Sequence, residues 1–279
     1  MPNALRSCLR ICLRFCLHQC RLFFIALQFF TRLPIPRWVG FEASWLHHAS
    51  RYFPLVGIVV AACSSAIYAL ASWIWPAPVA ALLATIAGIH VTGAFHEDGF
   101  ADMCDGFGGG MTRERVLEIM KDSRIGAYGA IGIGCLLALK VTLLSLLPPG
   151  TAIAALFLAH PLSRLAAASL IWRLEYARAD SKAKPLAQEM SGAEFALAAA
   201  TALLPALILG LGGQLPWRAM AGGALGAALV TLWLARLFIR RLGGYTGDCL
   251  GAVQQATEIA FYLAVLAAFR HGAWAWVWA

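Results

Sequence analysis

Apolar runs of about twenty residues recur along this chain, at roughly 55–75, 78–95, 126–147, 151–172, 195–215, 219–238 and 251–271. Each approaches the ~20 residues a helix needs to cross ~30 Å of hydrocarbon. The composition agrees with the runs: 61% of residues are hydrophobic and only 13% charged, against about a quarter charged in soluble domains. The chain therefore reads as an all-α, polytopic integral membrane protein with about seven transmembrane helices. An eighth run, 22–30, is too short to span alone and is expected to form a short N-terminal interfacial or re-entrant helix. The net charge of +8 does not argue for nucleic acid, because basic residues in a membrane protein first report topology.

The connections alternate in character. Those around 75–78, 147–150 and 212–218 are short and nearly uncharged, whereas 31–54, 96–125, 173–194 and 239–250 are long and polar. The long loops carry Arg32, Arg37, Arg51, Arg113, Arg115, Lys121, Arg124, Arg173, Arg178, Lys182, Lys184, Arg240 and Arg241, and the opposite side only Arg218 and Arg270. The Lys/Arg excess assigns the long loops to the cytoplasm, with Trp274, Trp276 and Trp278 as an aromatic belt at the far interface. No internal repeat supports an inverted-repeat transporter.

One loop stands out against this apolar background. Glu97, Asp98, Asp102 and Asp105 fall within nine residues, and Gly106 and a glycine triplet at 108–110 follow. On a helix, Asp98, Asp102 and Asp105 share one face, and like charges so placed repel unless a cation offsets them. Hard oxygen donors at a cytoplasmic surface suit Mg²⁺, which binds through a few carboxylates plus substrate phosphates. Glu97 points elsewhere on the same turn, toward a second ion or a nucleophile, and His96 is a weaker base candidate. An EF-hand is excluded by the missing alternation and the missing Glu at position twelve. Gly106 and its neighbours let backbone amides approach an anion. Thr112 caps a short helix with an apolar face at Val116, Ile119 and Met120. Lys121, Ser123 and Arg124 follow it and could grip a diphosphate; juxtamembrane basic residues that only mark topology are the competing reading.

Polar groups also enter the spans. Glu258, one turn after Gln254 and Gln255, and Arg164, four residues after His160, are candidates for a cavity floor; Lys140 reads as a snorkelling or structurally paired residue. The turn at 243–251 is a second glycine-rich stretch on the same side and offers Asp248. At the other end, 1–21 repeats Arg and Cys every four residues, giving a basic stripe beside a cysteine stripe. It is set apart here as an N-terminal extension to a single membrane-embedded domain spanning 22–279. No cleavable signal is expected, because 22–30 runs into Thr31-Arg32-Leu33-Pro34 without a small-residue cleavage site. The eight cysteines show neither a CxxC nor a disulfide framework.

Taken together, the polar stretches resemble the cobalamin synthase family, the adenosylcobinamide-GDP ribazoletransferases. The resemblance rests on Phe29-Phe30-Thr31-Arg32-Leu33-Pro34-Ile35-Pro36, Arg51-Tyr52-Phe53-Pro54-Leu55-Val56-Gly57 and His96-Glu97-Asp98-Gly99-Phe100-Ala101-Asp102 through Asp105-Gly106. It continues through Met120-Lys121-Asp122-Ser123-Arg124-Ile125-Gly126, then Gly244-Tyr245-Thr246-Gly247-Asp248-Cys249-Leu250-Gly251 and Glu258. The stretch 1–21 and the pair Met103-Cys104 depart from the family pattern without removing a carboxylate.

The resemblance implies the last joining step of cobalamin nucleotide-loop assembly, in the bacterial inner membrane. Adenosylcobinamide-GDP and α-ribazole, or its 5′-phosphate, would give adenosylcobalamin, or its phosphate, and GMP with Mg²⁺. Asp98, Asp102 and Asp105 would hold the metal, with Glu97 as a further ligand or the base. Lys121 and Arg124 would steady the departing phosphate, and Gly106, Ser123, Asp248 and Glu258 would contact substrate. The lipid bilayer is the expected surroundings, and there is room for a homo-oligomer or association with other cobamide-assembly enzymes. Two competing readings fare worse. A CDP-alcohol phosphotransferase needs Ala-Arg where Gly109-Gly110 stand, and a cation transporter would distribute acids through the spans rather than gather them in loops.

Overall fold

The computed structural model describes residues 2–42, 44–177 and 189–274. Arg178, Lys182, Lys184, Trp276 and Trp278, assigned above to a loop and a belt, lie outside the described residues. The described chain is helical, and its β-structure is a single parallel bridge between Tyr176 and Tyr245.

In chain order the helices are α1 (Pro2–Phe30), α2 (Trp45–Ala49), α3 (Phe53–Ser72), α4 (Ala77–Thr92), α5 (Phe95–Gly109), α6 (Arg113–Ile119), α7 (Ala127–Leu146), α8 (Pro149–Arg173), α9 (Gly192–Leu211), α10 (Trp217–Leu242) and α11 (Gly247–Trp274). Their starts follow ordinary capping chemistry. Prolines occupy the first turns of α3, α4 and α8, where a missing N–H costs nothing. Ser191 and Glu194 form a capping box at α9, and Glu194 also pairs with Arg51 and His48, tying the segment before α3 to α9.

Among the described residues, seven helices are long and apolar enough to cross a membrane, or eight if the bent pair α4–α5 counts as one span, but their membership differs from the sequence expectation. The short N-terminal run does not form a separate element. It is the end of α1, which runs unbroken from Pro2 and gains the required length at Leu9–Phe30. Conversely, α4 is only 16 residues long, and it meets α5 at 91° after a break of two residues. The run at 78–95 thus ends three residues early, where the chain turns sharply into the acidic stretch.

Packing follows this order: α10 lies along α11, α3 along α8, and α5 against α11. The α3–α8 contact is tight at Gly57, where a Cβ would fall 2.7 Å from the His160 carbonyl oxygen. Small residues commonly permit such backbone approach between membrane helices. Two apolar layers result. One gathers Phe30, Phe53, Val56, Ala168, Ile171, Tyr245 and Val253; the other gathers Tyr68, Leu144, Leu156, Ala159, Tyr262 and Val265. The bundle also buries polar residues: Ser64 and Ser65 on α3, Lys140 on α7, His160, Ser163 and Arg164 on α8, and Gln254, Gln255 and Glu258 on α11.

Candidate active site

The acidic helix owes its direction to two residues. Gly93 and Ala94 both adopt left-handed conformations, with φ of 66° and 62°. Glycine does this without strain; for alanine it costs roughly 1–2 kcal/mol. Ala94 donates its N–H to the Ile89 carbonyl, and the Arg32 side chain packs against Gly93, where a Cβ would come within 2.7 Å of Nε. The exit from α1 therefore braces the turn that aims α5.

Where α5 crosses α11, glycines face each other. A Cβ on Gly99 would lie 3.1 Å from both Cα and O of Asp248, and one on Gly251 would lie 3.0 Å from the His96 carbonyl oxygen. This approach brings Asp248 against the turn bearing Asp98 and Asp102. Asp98 is exposed, and Asp102 and Asp248 are partly exposed. The two acidic stretches singled out in the sequence thus meet at one crossing.

The rest of the expected site divides. Asp105, one of the three expected metal ligands, is buried and accepts hydrogen bonds from the backbone N–H groups of Gly126, at 2.7 Å, and Gly129, at 2.8 Å. Both oxygens thus cap the start of α7, which gives this expected ligand a structural partner. A carboxylate placed against the positive end of a helix has a structural reason to be there. Gly106, expected to contact substrate, is seated against Met120 and the Val116 carbonyl.

Glu97 turns away from the aspartates. Its Oε1 accepts from Gln255 Nε2 at 2.8 Å, within the bundle. His96 stacks on Phe30, with ring centroids 5.4 Å apart and 13° between planes. Glu258, expected to contact substrate, is fully buried and engaged by Lys140 at 2.5 Å, Tyr262 at 2.9 Å and Gln254 at 2.7 Å. This is the paired alternative for Lys140, with no snorkelling.

Lys121, Ser123 and Arg124 are exposed between α6 and α7. Arg124 donates to Asp122 at 2.6 Å, and those hydrogen bonds hold the Asp122 carboxyl down to about 2 while raising the Arg124 guanidinium. The pair borders a surface hollow of about 630 Å³ shared with Asp105, Arg115 and Tyr128. Arg241 reaches the same neighbourhood, donating to the Gly110 carbonyl at 2.5 Å across the Phe107 ring. Nearby, Tyr245 exchanges backbone hydrogen bonds with Ala177 and Glu175, and burial pushes its hydroxyl well above the ordinary phenol range.

A family model for cobalamin-5-phosphate synthase matches residues 22–266. The chain belongs to the cobalamin-5-phosphate synthase family. Among its curated relatives is the adenosylcobinamide-GDP ribazoletransferase of Shewanella frigidimarina, 46% identical over 259 residues, covering 89% of this chain and 95% of the relative. Proteins of that name from Leptothrix cholodnii (46% identical; 90% and 96% covered) and Vibrio cholerae serotype O1 (43%; 91% and 96%) are similarly close. No solved structure matches. The family match begins at Leu22, so the Arg/Cys-rich part of α1 precedes it although the helix itself does not break.

Within this cobalamin-5-phosphate synthase chain, the donors at the crossing are hard carboxylate oxygens, which fits Mg²⁺. Among the described residues no three His, Cys, Asp or Glu side chains converge as a closed cage. Mg²⁺ is commonly bound by only one or two carboxylates, with water and substrate phosphates completing the shell, so an open arrangement suits it. Sequence reasoning missed the aromatic wall of Phe29, Phe30, Phe53 and Phe95 around His96, because its members lie far apart in the chain.

Proposed function

We propose that this chain joins adenosylcobinamide-GDP to α-ribazole, or to its 5′-phosphate, releasing GMP, from the cytoplasmic face of a bacterial inner membrane. The ribose hydroxyl oxygen attacks the cobinamide-side phosphorus. A new P–O bond forms as the P–O bond to GMP breaks, and the hydroxyl proton leaves to a nearby carboxylate. Phosphoryl transfer of this kind depends on positioning and charge neutralisation more than on covalent catalysis.

One observation carries the reading: the contact between Gly99 and Asp248, which gathers Asp98, Asp102 and Asp248 from two distant stretches. Asp98 and Asp102 would hold Mg²⁺, with Asp248 beside them, and the bound ion would neutralise the diphosphate. Glu97 acts from behind, fixed by Gln255, and does not supply the ligand or base expected from the sequence alone. The hollow beside Arg124 falls within the usual size of ligand sites and would receive the guanosine end. There Arg124 would exchange Asp122 for a phosphate oxygen, with Lys121 and Ser123 on the same exposed turn.

The test is incubation of the purified enzyme with adenosylcobinamide-GDP and α-ribazole, with and without Mg²⁺, reading GMP and the joined product by mass. Mg²⁺-dependent formation of both is expected, without any membrane gradient. Absence of GMP with Mg²⁺ present would overturn the reading.

A further inference from the structure

Helix α1 is used neither by the acidic crossing nor, before Leu22, by the family match. Its charge has one sign. Six arginines and no acid precede Glu42, the first acid of the chain. The two chemistries are also divided around the helix. At 3.6 residues per turn, Arg10, Arg14 and Arg21 fall within an arc of about 40°, and Leu9, Cys12, Phe15 and Cys16 lie on the opposite side. Leu9, Ile11, Leu13 and Phe15 are 63% to 70% exposed, so no described part of the chain covers the apolar side.

The second half of α1 shows the level at which the helix lies. Gln19 accepts from the Tyr52 hydroxyl at 2.7 Å, Arg21 sits over the Trp45 ring at 5.5 Å, and Phe24 meets Trp38 edge-on at 5.8 Å. These partners belong to the connection between α1 and α3, which also carries the exposed Arg37, Glu42, His47 and His48. At 1.5 Å per residue, Gln19 stands about 17 Å along the helix from Phe30. A crossing α1 would drag that connection and its charges toward the middle of a hydrocarbon layer about 30 Å thick. Lying flat, the same helix keeps them at the surface. The alternation of loops agrees. Seven crossings are already made by α3, the bent pair α4–α5, α7, α8, α9, α10 and α11. An eighth through α1 would carry Arg10 and Arg14 to the side that is poor in Lys and Arg.

We propose that α1 does not cross the bilayer but lies in its surface, on the side of the acidic crossing, with its apolar face among the acyl chains and its arginine face on the phosphates of anionic phospholipids. A helix with arginines on one face and leucine and phenylalanine on the other binds by apolar burial together with attraction to anionic lipid. Phe29 meets Phe95 at 5.2 Å, so this surface helix is joined directly to the helix that carries Asp98 and Asp102. The exposed thiols of Cys12, Cys16 and Cys20 then belong to the lipid side, where cysteine serves as a small apolar residue.

The experiment uses the full-length protein in nanodiscs, spin-labelled in turn at Cys12, Cys16 and Cys20. The other accessible thiols are removed as Cys8→Ser, Cys63→Ser, Cys104→Ser and Cys135→Ser, and the buried Cys249 is kept. Alanine at the same four positions carries the comparison if the serine background is not monodisperse. Depth is read by power saturation against oxygen and a water-soluble nickel chelate. The three labels should lie at nearly equal depth, just below the phosphates. A spread of about 12 Å between Cys12 and Cys20, which a crossing helix would give, would overturn the proposal. In nanodiscs containing phosphatidylglycerol, the ratio of membrane-bound to water-exposed label at Cys16 should exceed that in phosphatidylcholine alone by about tenfold or more. Molar salt, or Arg10→Gln combined with Arg14→Gln, should remove the difference. Equal ratios in the two lipids would overturn recognition of anionic headgroups, and labels in water in both would overturn the surface helix and assign α1 to a protein partner.

Discussion

Lys140 on α7 and Glu258 on α11 meet at 2.5 Å in the interior of the bundle, 5% and 1% exposed. Removing one partner of such a pair leaves an uncompensated buried charge, at a cost of about 3–5 kcal/mol. Lys140→Met should therefore lower the thermal unfolding midpoint in detergent sharply. Lys140→Met combined with Glu258→Gln should recover much of the loss, because Gln can still meet Tyr262 and Gln254. A double variant no more stable than Lys140→Met would show that the pair itself is not what stabilises this level of the bundle.

Asp102 and Asp105 are three residues apart, yet the structure predicts opposite phenotypes. Asp105→Asn replaces one acceptor oxygen at the start of α7 with a donor and should cost about 1–3 kcal/mol, read as a lower unfolding midpoint. Asp102→Asn should leave that midpoint nearly unchanged and reduce GMP release by about 100-fold or more, as loss of a group acting on the transition state does. Wild-type turnover in Asp102→Asn would remove it from the machinery.

Gly99→Ala tests the crossing directly. The new Cβ would meet Asp248 backbone atoms at 3.1 Å, and backbone cannot swing aside as a side chain can. The helices must separate by a few tenths of an ångström. Misplacement of reacting groups is expensive, so kcat should fall by about tenfold or more with little change in unfolding midpoint.

The Asp122–Arg124 pair sets a limit on pH effects. The folded carboxyl is depressed to about 2, so its stabilising contribution is complete above the ordinary aspartate range and lost only as pH falls through about 2. Between pH 5 and 9 the pair stays charged, and rate changes there must come from other groups. NMR titration of Asp122 should show this low midpoint in the free enzyme and a return toward ordinary aspartate values in Arg124→Ala.

The apolar period made the membrane class legible, and residue chemistry pointed to the acidic loop and to the turn bearing Asp248. What could not be read were partnerships between distant residues. Helical spacing put Asp105 on a face with Asp98 and Asp102, but spacing says nothing of the N–H groups of Gly126 and Gly129 waiting at its end of the helix. The break at Gly93 and Ala94 was hidden because the apolar run continues across it and Ala94 carries no turn signature. The aromatic wall joins residues from α1, α3 and α5, each of which passes separately for ordinary packing.

The crossing of α5 and α11 also fixes when the enzyme comes into being. Asp98 and Asp102 are made before the middle of the chain, but Asp248 and the facing Gly251 arrive with the final helix. A ribosome-bound chain that has not yet delivered α11 carries two of the three carboxylates and lacks the surface that holds α5 in place. On the proposed assignment of Asp98, Asp102 and Asp248, a chain that lacks α11 lacks the assembled site however well the preceding helices insert.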